Sequence, residues 1–150
     1  MQINLNLNQI QTMVAKEYKE FGLDLDKNII DGDFVKFSVD ITLKKFNNAS
    51  VLISGTIGNH GYGYFEAVFD EIAVTDESLI AINAYNDNVR TVKACISRRG
   101  NPGKYYAVFS KGVQYIPDEQ TMVDLSSRIL TDLTDDDDKP LIEEILHYLK

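Results

Sequence analysis

From Lys36 to Leu43 polar and apolar residues alternate without a break, with Phe37, Val39, Ile41 and Leu43 on one side and Lys36, Ser38, Asp40 and Thr42 on the other. A period of two is the mark of a strand with one face in a core and one in water. Asn47 and Asn48 signal a turn, after which Val51, Ile53, Gly55 and Ile57 resume the alternation. Gly55 stands where a core side chain is due, which predicts a bulge or a close approach to the backbone. Gly58-Asn59-His60-Gly61 reads as a hairpin connection. Beyond it Phe65, Ala67 and Phe69 face one way and Tyr64, Glu66, Val68 and Asp70 the other. Two further strands are expected at Val92, Ala94 and Ile96 and at Tyr105, Ala107 and Phe109, joined by a turn over Arg98–Gly103.

Helical spacing governs four other segments. Ile10, Met13, Val14, Glu17 and Phe21 predict a helix from about Asn8 to Phe21, with Asn8 as N-cap, Gln11 in a capping box and Gly22 as the stop. Thr75 or Asp76 can cap a second helix, whose apolar stripe is Ala81, Ile82, Tyr85 and Val89. Pro117 and Asp118 open a third, with Met122, Leu125, Ile129 and Leu133 on one face. A last helix carries Leu141, Ile142, Ile145, Leu146 and Leu149, with Pro140 in its first turn. The order α-β-β-β-α-β-β-α-α predicts an α+β fold, an antiparallel sheet with helices packed on one face and a polar opposite face. No repeat is visible, and residues 1–150 read as one domain with an acidic linker, 134–139, before the C-terminal helix.

Charge narrows the function classes. The net charge is −8 over 150 residues, which disfavours nucleic acid and anionic membrane as partners and favours a basic one. No apolar run reaches the roughly 20 residues that span a bilayer. The start of the chain lacks the pattern of a secretory signal. The single cysteine, Cys95, fits a reducing compartment, so the expectation is cytoplasmic.

Candidate chemistry is sparse. Asp24, Asp26, Asn28, Asp31 and Asp33 suggest a calcium loop, but its sixth and twelfth positions hold Ile29 and Val35 instead of Gly and Glu, so an acidic connection is the better reading. His60 and His147 lie far apart with no metal-ligand spacing. Cys95 shares a face with Lys93 and Ser97 and reads as an inert thiol. The glycine run from Gly58 to Gly63 leads into a strand, whereas a phosphate loop needs a helix there. Glu66 and Asp70 share a strand face without an argument for acid–base work. Asp135–Asp138 and Lys139 spell a protease recognition string, yet read as a native linker whose last acids cap the final helix. The reading therefore carries no catalytic residue, metal or cofactor. Tyr62, Tyr64, Tyr105, Tyr106 and Tyr115 are many for one sheet, and Tyr serves both strands and interfaces. Ile80 and Ala84 point away from the stripe of the second helix. Ile80, Ala84, Tyr62, Tyr64 and Tyr106 are thus the expected protein-contact residues.

The order of elements resembles the type III secretion chaperone-like fold, and within it the YbjN family. Three stretches carry the resemblance: Leu7-Asn8-Gln9-Ile10 to Phe21-Gly22-Leu23 as the first helix, Leu79 to Asn86 as the middle helix, and the hairpin Val92 to Phe109 directly after it. The glycine-rich hairpin and the last helix depart from that pattern. The resemblance implies a non-enzymatic protein, and secretion chaperones of this fold are small acidic dimers that hold a partner chain across their surface. The leading expectation is a protein-binding module, a chaperone-like or regulatory adaptor, with another protein or a second copy as partner. Two others compete: an acidic inhibitor or DNA mimic, marked by carboxylates clustered on one face, and an enzyme whose site has no linear motif.

Overall fold

The structure, a computed structural model, describes residues 2–23, 27–89 and 91–150. Asp24 and Asp26, the first two acids of the calcium-like stretch, lie outside the described residues. The chain runs α1 (Leu7–Glu17), β1 (Asn28–Asp31), β2 (Phe34–Leu43), β3 (Ala49–Gly58), β4 (Tyr62–Glu71), α2 (Asp76–Asn88), β5 (Lys93–Ser97), β6 (Tyr106–Val113), α3 (Glu119–Leu133) and α4 (Lys139–Leu146).

Among the described residues six strands form one antiparallel sheet in the order β1-β2-β3-β4-β6-β5. The alternation resolves as expected. Val35, Phe37, Val39, Ile41, Val51, Ile53, Phe65, Ala67, Phe69 and Phe109 are all buried, on the face covered by the helices. Two features go beyond the sequence reading. β1 is an added strand, too short to show a period, turned back on β2 by Gly32 at φ +61° with Asp31 opposite Phe34. The last strand, β6, inserts between β4 and β5, so the chain leaves β4 through α2 to the far edge and then returns.

Gly55 explains its own place in the core pattern. A Cβ built there would stand 2.4 Å from Phe37 Cε1 and 2.9 Å from Phe65 Cδ1, so the Phe37 ring occupies the missing side chain's space. Gly61, at φ +87°, has Ile116 O 2.7 Å from where its Cβ would be. Its carbonyl accepts from Ile116 N–H at 3.1 Å, and Leu5 N–H donates to Asn59 O at 2.7 Å. The glycine run is therefore a turn clamped by two other segments.

The helix ends are partly reassigned. Asn6, not Asn8, caps α1, its Oδ1 accepting from Gln9 N–H at 3.0 Å. Gln11 is not in a capping box. It donates to Asn28 O, and Asn28 Nδ2 donates back to Gln11 O at 2.7 Å, which fixes β1 to α1. The buried stripe of α1 is Ile10, Val14 and Tyr18. Phe21 falls in a following 3₁₀ turn and is exposed at the rim, because that tighter turn rotates it off the stripe. Gly22 closes the segment at φ +80°. Thr75 and Ser78 form a reciprocal capping box on α2. Asp118 caps α3 through Thr121 N–H at 2.8 Å. α4 begins at Lys139 and ends at Leu146, earlier than the apolar spacing predicts, since Leu149 pairs with Ile72 as an isolated bridge. Asp138 sits at the N-cap of α4 but its side chain makes no capping bond. Burial, then Asp135, Asp137 and Asp132, raise its carboxyl above the usual range. Asp136 is held low by Lys45, which also bonds Thr134 O. The acidic linker is thus anchored to the β2–β3 turn rather than to the helix dipole.

Candidate functional site

Strand alternation that fills the core leaves a second face uncovered. Register places Ile29, Phe34, Lys36, Ser38, Asp40, Leu52, Ser54, Thr56, Tyr62, Tyr64, Glu66, Val68, Tyr106, Val108, Lys93 and Cys95 there. The face has three zones. Polar residues form its middle, with Ser38, Ser54, Glu66, Ser110 and Lys93 in one cross-strand row.

One end is folded over by the loop after β5. Arg99, at φ +49°, sends Nη1 to both carboxylate oxygens of Glu66 at 2.8 and 2.9 Å. Asn101 Nδ2 donates to Tyr106 OH at 3.3 Å. Val108, on the outward face between Val68 and Cys95, is buried. Cys95 pairs with Val108 and stays exposed. Partial burial and the neighbouring Glu66 carboxylate raise its thiol pKa while Arg99 opposes them, so no thiolate is favoured there.

The other end is apolar. Ile29, Phe34, Tyr62 and Tyr64 are 37–48% exposed, on β1, β2 and β4. Phe34 and Tyr62 stand on either side of Gly58, with the Phe34 ring 3.2 Å from where a Gly58 Cβ would be. Tyr64 lies opposite Gly112, its ring 3.9 Å from the same position there. The glycines leave room for the rings to lie along the sheet. Tyr115 joins this end through the Ile116–Gly61 contact, one residue from Tyr62 on the other side. It is 80% exposed at φ +61°. A bulky residue in the left-handed region costs on the order of 1–2 kcal/mol and persists only where neighbours impose it. Tyrosine makes large contacts at low conformational cost because only two side-chain angles must be fixed.

The remaining polar groups are dispersed. His60 lies in the turn before β4, and His147 follows α4 beside the segment past the end of that ten-residue strand. The two do not converge. Among the described residues no three His, Cys, Asp or Glu side chains group to hold a metal. No helix among them is long and apolar enough to cross a membrane. An open groove of about 400 Å³ separates α4 from the β2–β3 turn, lined by Lys45, Phe46, Glu143, Leu146 and His147.

No family model matches the chain, and no curated protein matches it. Among solved structures, the crystal structure of YbjN, a proposed transcription regulator from E. coli, aligns over 97% of this chain and 93% of that one. The TM-score is 0.49 and the sequence identity 9%. We carry no function across from a likeness of that size.

The five expected contact residues fall in three places. Tyr62 and Tyr64 belong to the apolar end of the sheet. Tyr106 lies at the opposite end, half-buried under the Arg99 loop. Ile80 and Ala84 lie on α2, beyond the core from that face. Among the described residues no neighbouring helix covers Ile80, which is 65% exposed, and Ala84 is half-buried. Phe34 and Ile29 were not singled out from the sequence. Phe34 sits in phase with Lys36 and Ser38, so its outward position was readable from the alternation.

Charge is also segregated. Residues 76–88 and 118–150, which hold α2, α3, the acidic linker and α4, carry 13 acids and three bases, against ten acids and 12 bases in the rest. The excess negative charge therefore belongs to these helices and not to the sheet.

Proposed function

We propose that the chain is a protein-binding module without chemistry of its own, an adaptor with separate contact faces on the sheet and on α2. The observation that carries the reading is the apolar end of the open sheet face, where Ile29, Phe34, Tyr62 and Tyr64 are exposed together beside the strained Tyr115. Three ion pairs support it, because they hold segments of the chain together. Glu66 ties down the Arg99 loop, Lys45 holds the acidic linker, and Lys111 faces Asp132 at 3.7 Å. A second copy is one candidate occupant of the sheet face, and the reading extends to a cytoplasmic, regulatory or chaperone-like role.

The test compares wild type with a Tyr62→Ser/Tyr64→Ser double variant, both outward-facing and so expected to fold. Sedimentation across a concentration series reads self-association, and capture of partners from the source cell reads the rest. The double variant should lose the partners or the dimer that wild type shows. Identical behaviour of the two proteins would refute a sheet-face contact. Sedimentation of Ile80→Asp asks the same of α2.

One observation favours a second reading, an acidic inhibitor of a basic surface: the 13 carboxylates gathered on the helices named above. Its mark would be affinity for a folded basic protein that falls steeply with salt.

A further inference from the structure

The outward face of α2 combines an uncovered side chain with one sign of charge. Asp76, Ile80, Asn83 and Asp87 follow one another at helical spacing along its exposed side, with Ala84 beside them. α2 contains no Lys or Arg. Glu77, also exposed, extends the acidic border in the first turn of α2. Partial desolvation, with the Glu144 and Glu77 carboxylates, raises the Tyr148 hydroxyl pKa. Two of the three bases in this region are already engaged, Lys139 with Glu143 at 3.6 Å and Lys150 with Glu71 at 3.4 Å. Asp87 adds negative charge in the last turn of α2, where the helix's free carbonyls already carry it.

We infer that this face docks a cationic amphipathic segment of another protein, an apolar side chain seated on Ile80 and Ala84 with Lys or Arg reaching Asp76, Glu77 and Asp87. The inference rests on the adaptor reading and names the partner chemistry of its second face. Charge complementarity selects the occupant. A neutral apolar segment would leave these carboxylates facing an unpaired interface, and an acidic one would be repelled. The apolar anchor separates a site from diffuse attraction, because burying a side chain on Ile80 contributes where charge alone does not.

The test uses the full chain and fluorescence anisotropy with a labelled helical peptide of about fourteen residues, Leu on one face and Lys on the other. Two controls replace every Lys by Gln, or every Leu by Ala. The parent peptide should bind, more weakly as salt rises, and each control should bind at least about tenfold more weakly. Ile80→Ser should weaken the parent about three- to tenfold and leave the Leu-free peptide unchanged. Asp87→Asn should weaken the parent without lowering the melting temperature. The Leu-free peptide binding as tightly as the parent would overturn the inference, as would indifference to Ile80→Ser. The Tyr62→Ser/Tyr64→Ser variant should bind the peptide normally. Failure at α2 alongside a working sheet face therefore sinks only this inference, whereas loss of both sinks the adaptor reading itself.

Discussion

Asn86 offers a sharp test of how the sheet is finished. β5 is an edge strand, and its outward backbone groups at Ala94 would normally face water or another chain. Asn86, reaching over from α2, takes both: Ala94 N–H donates to Oδ1 at 2.8 Å, and Nδ2 donates to Ala94 O at 2.9 Å. Ala94 is 4% exposed, so these groups have little water to fall back on. Two net hydrogen bonds of about 0.5–1.5 kcal/mol each put the loss in Asn86→Ala near 2 kcal/mol. Alanine's better helix propensity returns about 0.5 kcal/mol of that. In a domain of this size the remaining ~1.5 kcal/mol lowers the melting temperature by about 3–6 °C. The control is Asn88→Ala, which removes one exposed bond to Ala84 O within the same helix. It should stay within about 0.5 kcal/mol of wild type. Paired urea and thermal melts give the comparison. The freed strand edge should also make Asn86→Ala associate at high concentration. If the two variants melt together, Asn86 does not close the edge and the reasoning fails.

Gly55→Ala should cost about 1–3 kcal/mol, because its Cβ lands on the Phe37 ring, which itself stacks on Tyr18 at 5.4 Å. Phe37→Leu in the same chain should recover part of the loss, and additive losses in urea melts would refute that coupling. Burial pushes the Tyr18 hydroxyl up to about 12, and its O–H donates to Ser126 O at 2.8 Å. The unfolded chain releases that proton near pH 10 while the folded chain keeps it, so stability falls from about pH 10 to 12, by about 2–3 kcal/mol for this group. Tyr85, raised by burial and by Asp138 and Asp132, acts in the same direction. Urea melts at pH 9 to 12 check this, and Tyr18→Phe should flatten the decline; an unchanged slope would exclude Tyr18 as its source. Thr75→Ala removes half of the capping box on α2 and should lower stability by about 1 kcal/mol, with a loss below about 0.3 kcal/mol counting against the cap.

The legible parts of this fold were those where local physics is strict. Period two in β2, β3 and β4 fixed which side chains enter the core, since a slip by one residue would turn Phe37, Ile53 and Phe65 to water. The hairpin glycines and the stripe of α2 were legible for similar reasons. β1 was not, since four residues do not establish a period, although Gly32-Asp33 is a recognised two-residue turn signal. The N-cap of α1 was misplaced because Asn6 and Asn8 satisfy the same local rule, and only the position of β1 engages Gln11 elsewhere.

The candidate surfaces divide in the same way. The sequence by itself determined the two-faced sheet, the apolar stripe of α2 and the net charge, because alternation and helical spacing are properties of adjacent residues. Only the tertiary structure decided that β6 lies between β4 and β5, that the Arg99 loop closes one end of the open face, and that Phe34, Tyr62, Tyr64 and Tyr115 gather at the other. Those depend on which distant strands pair and on what a loop can reach, and no local pattern encodes either.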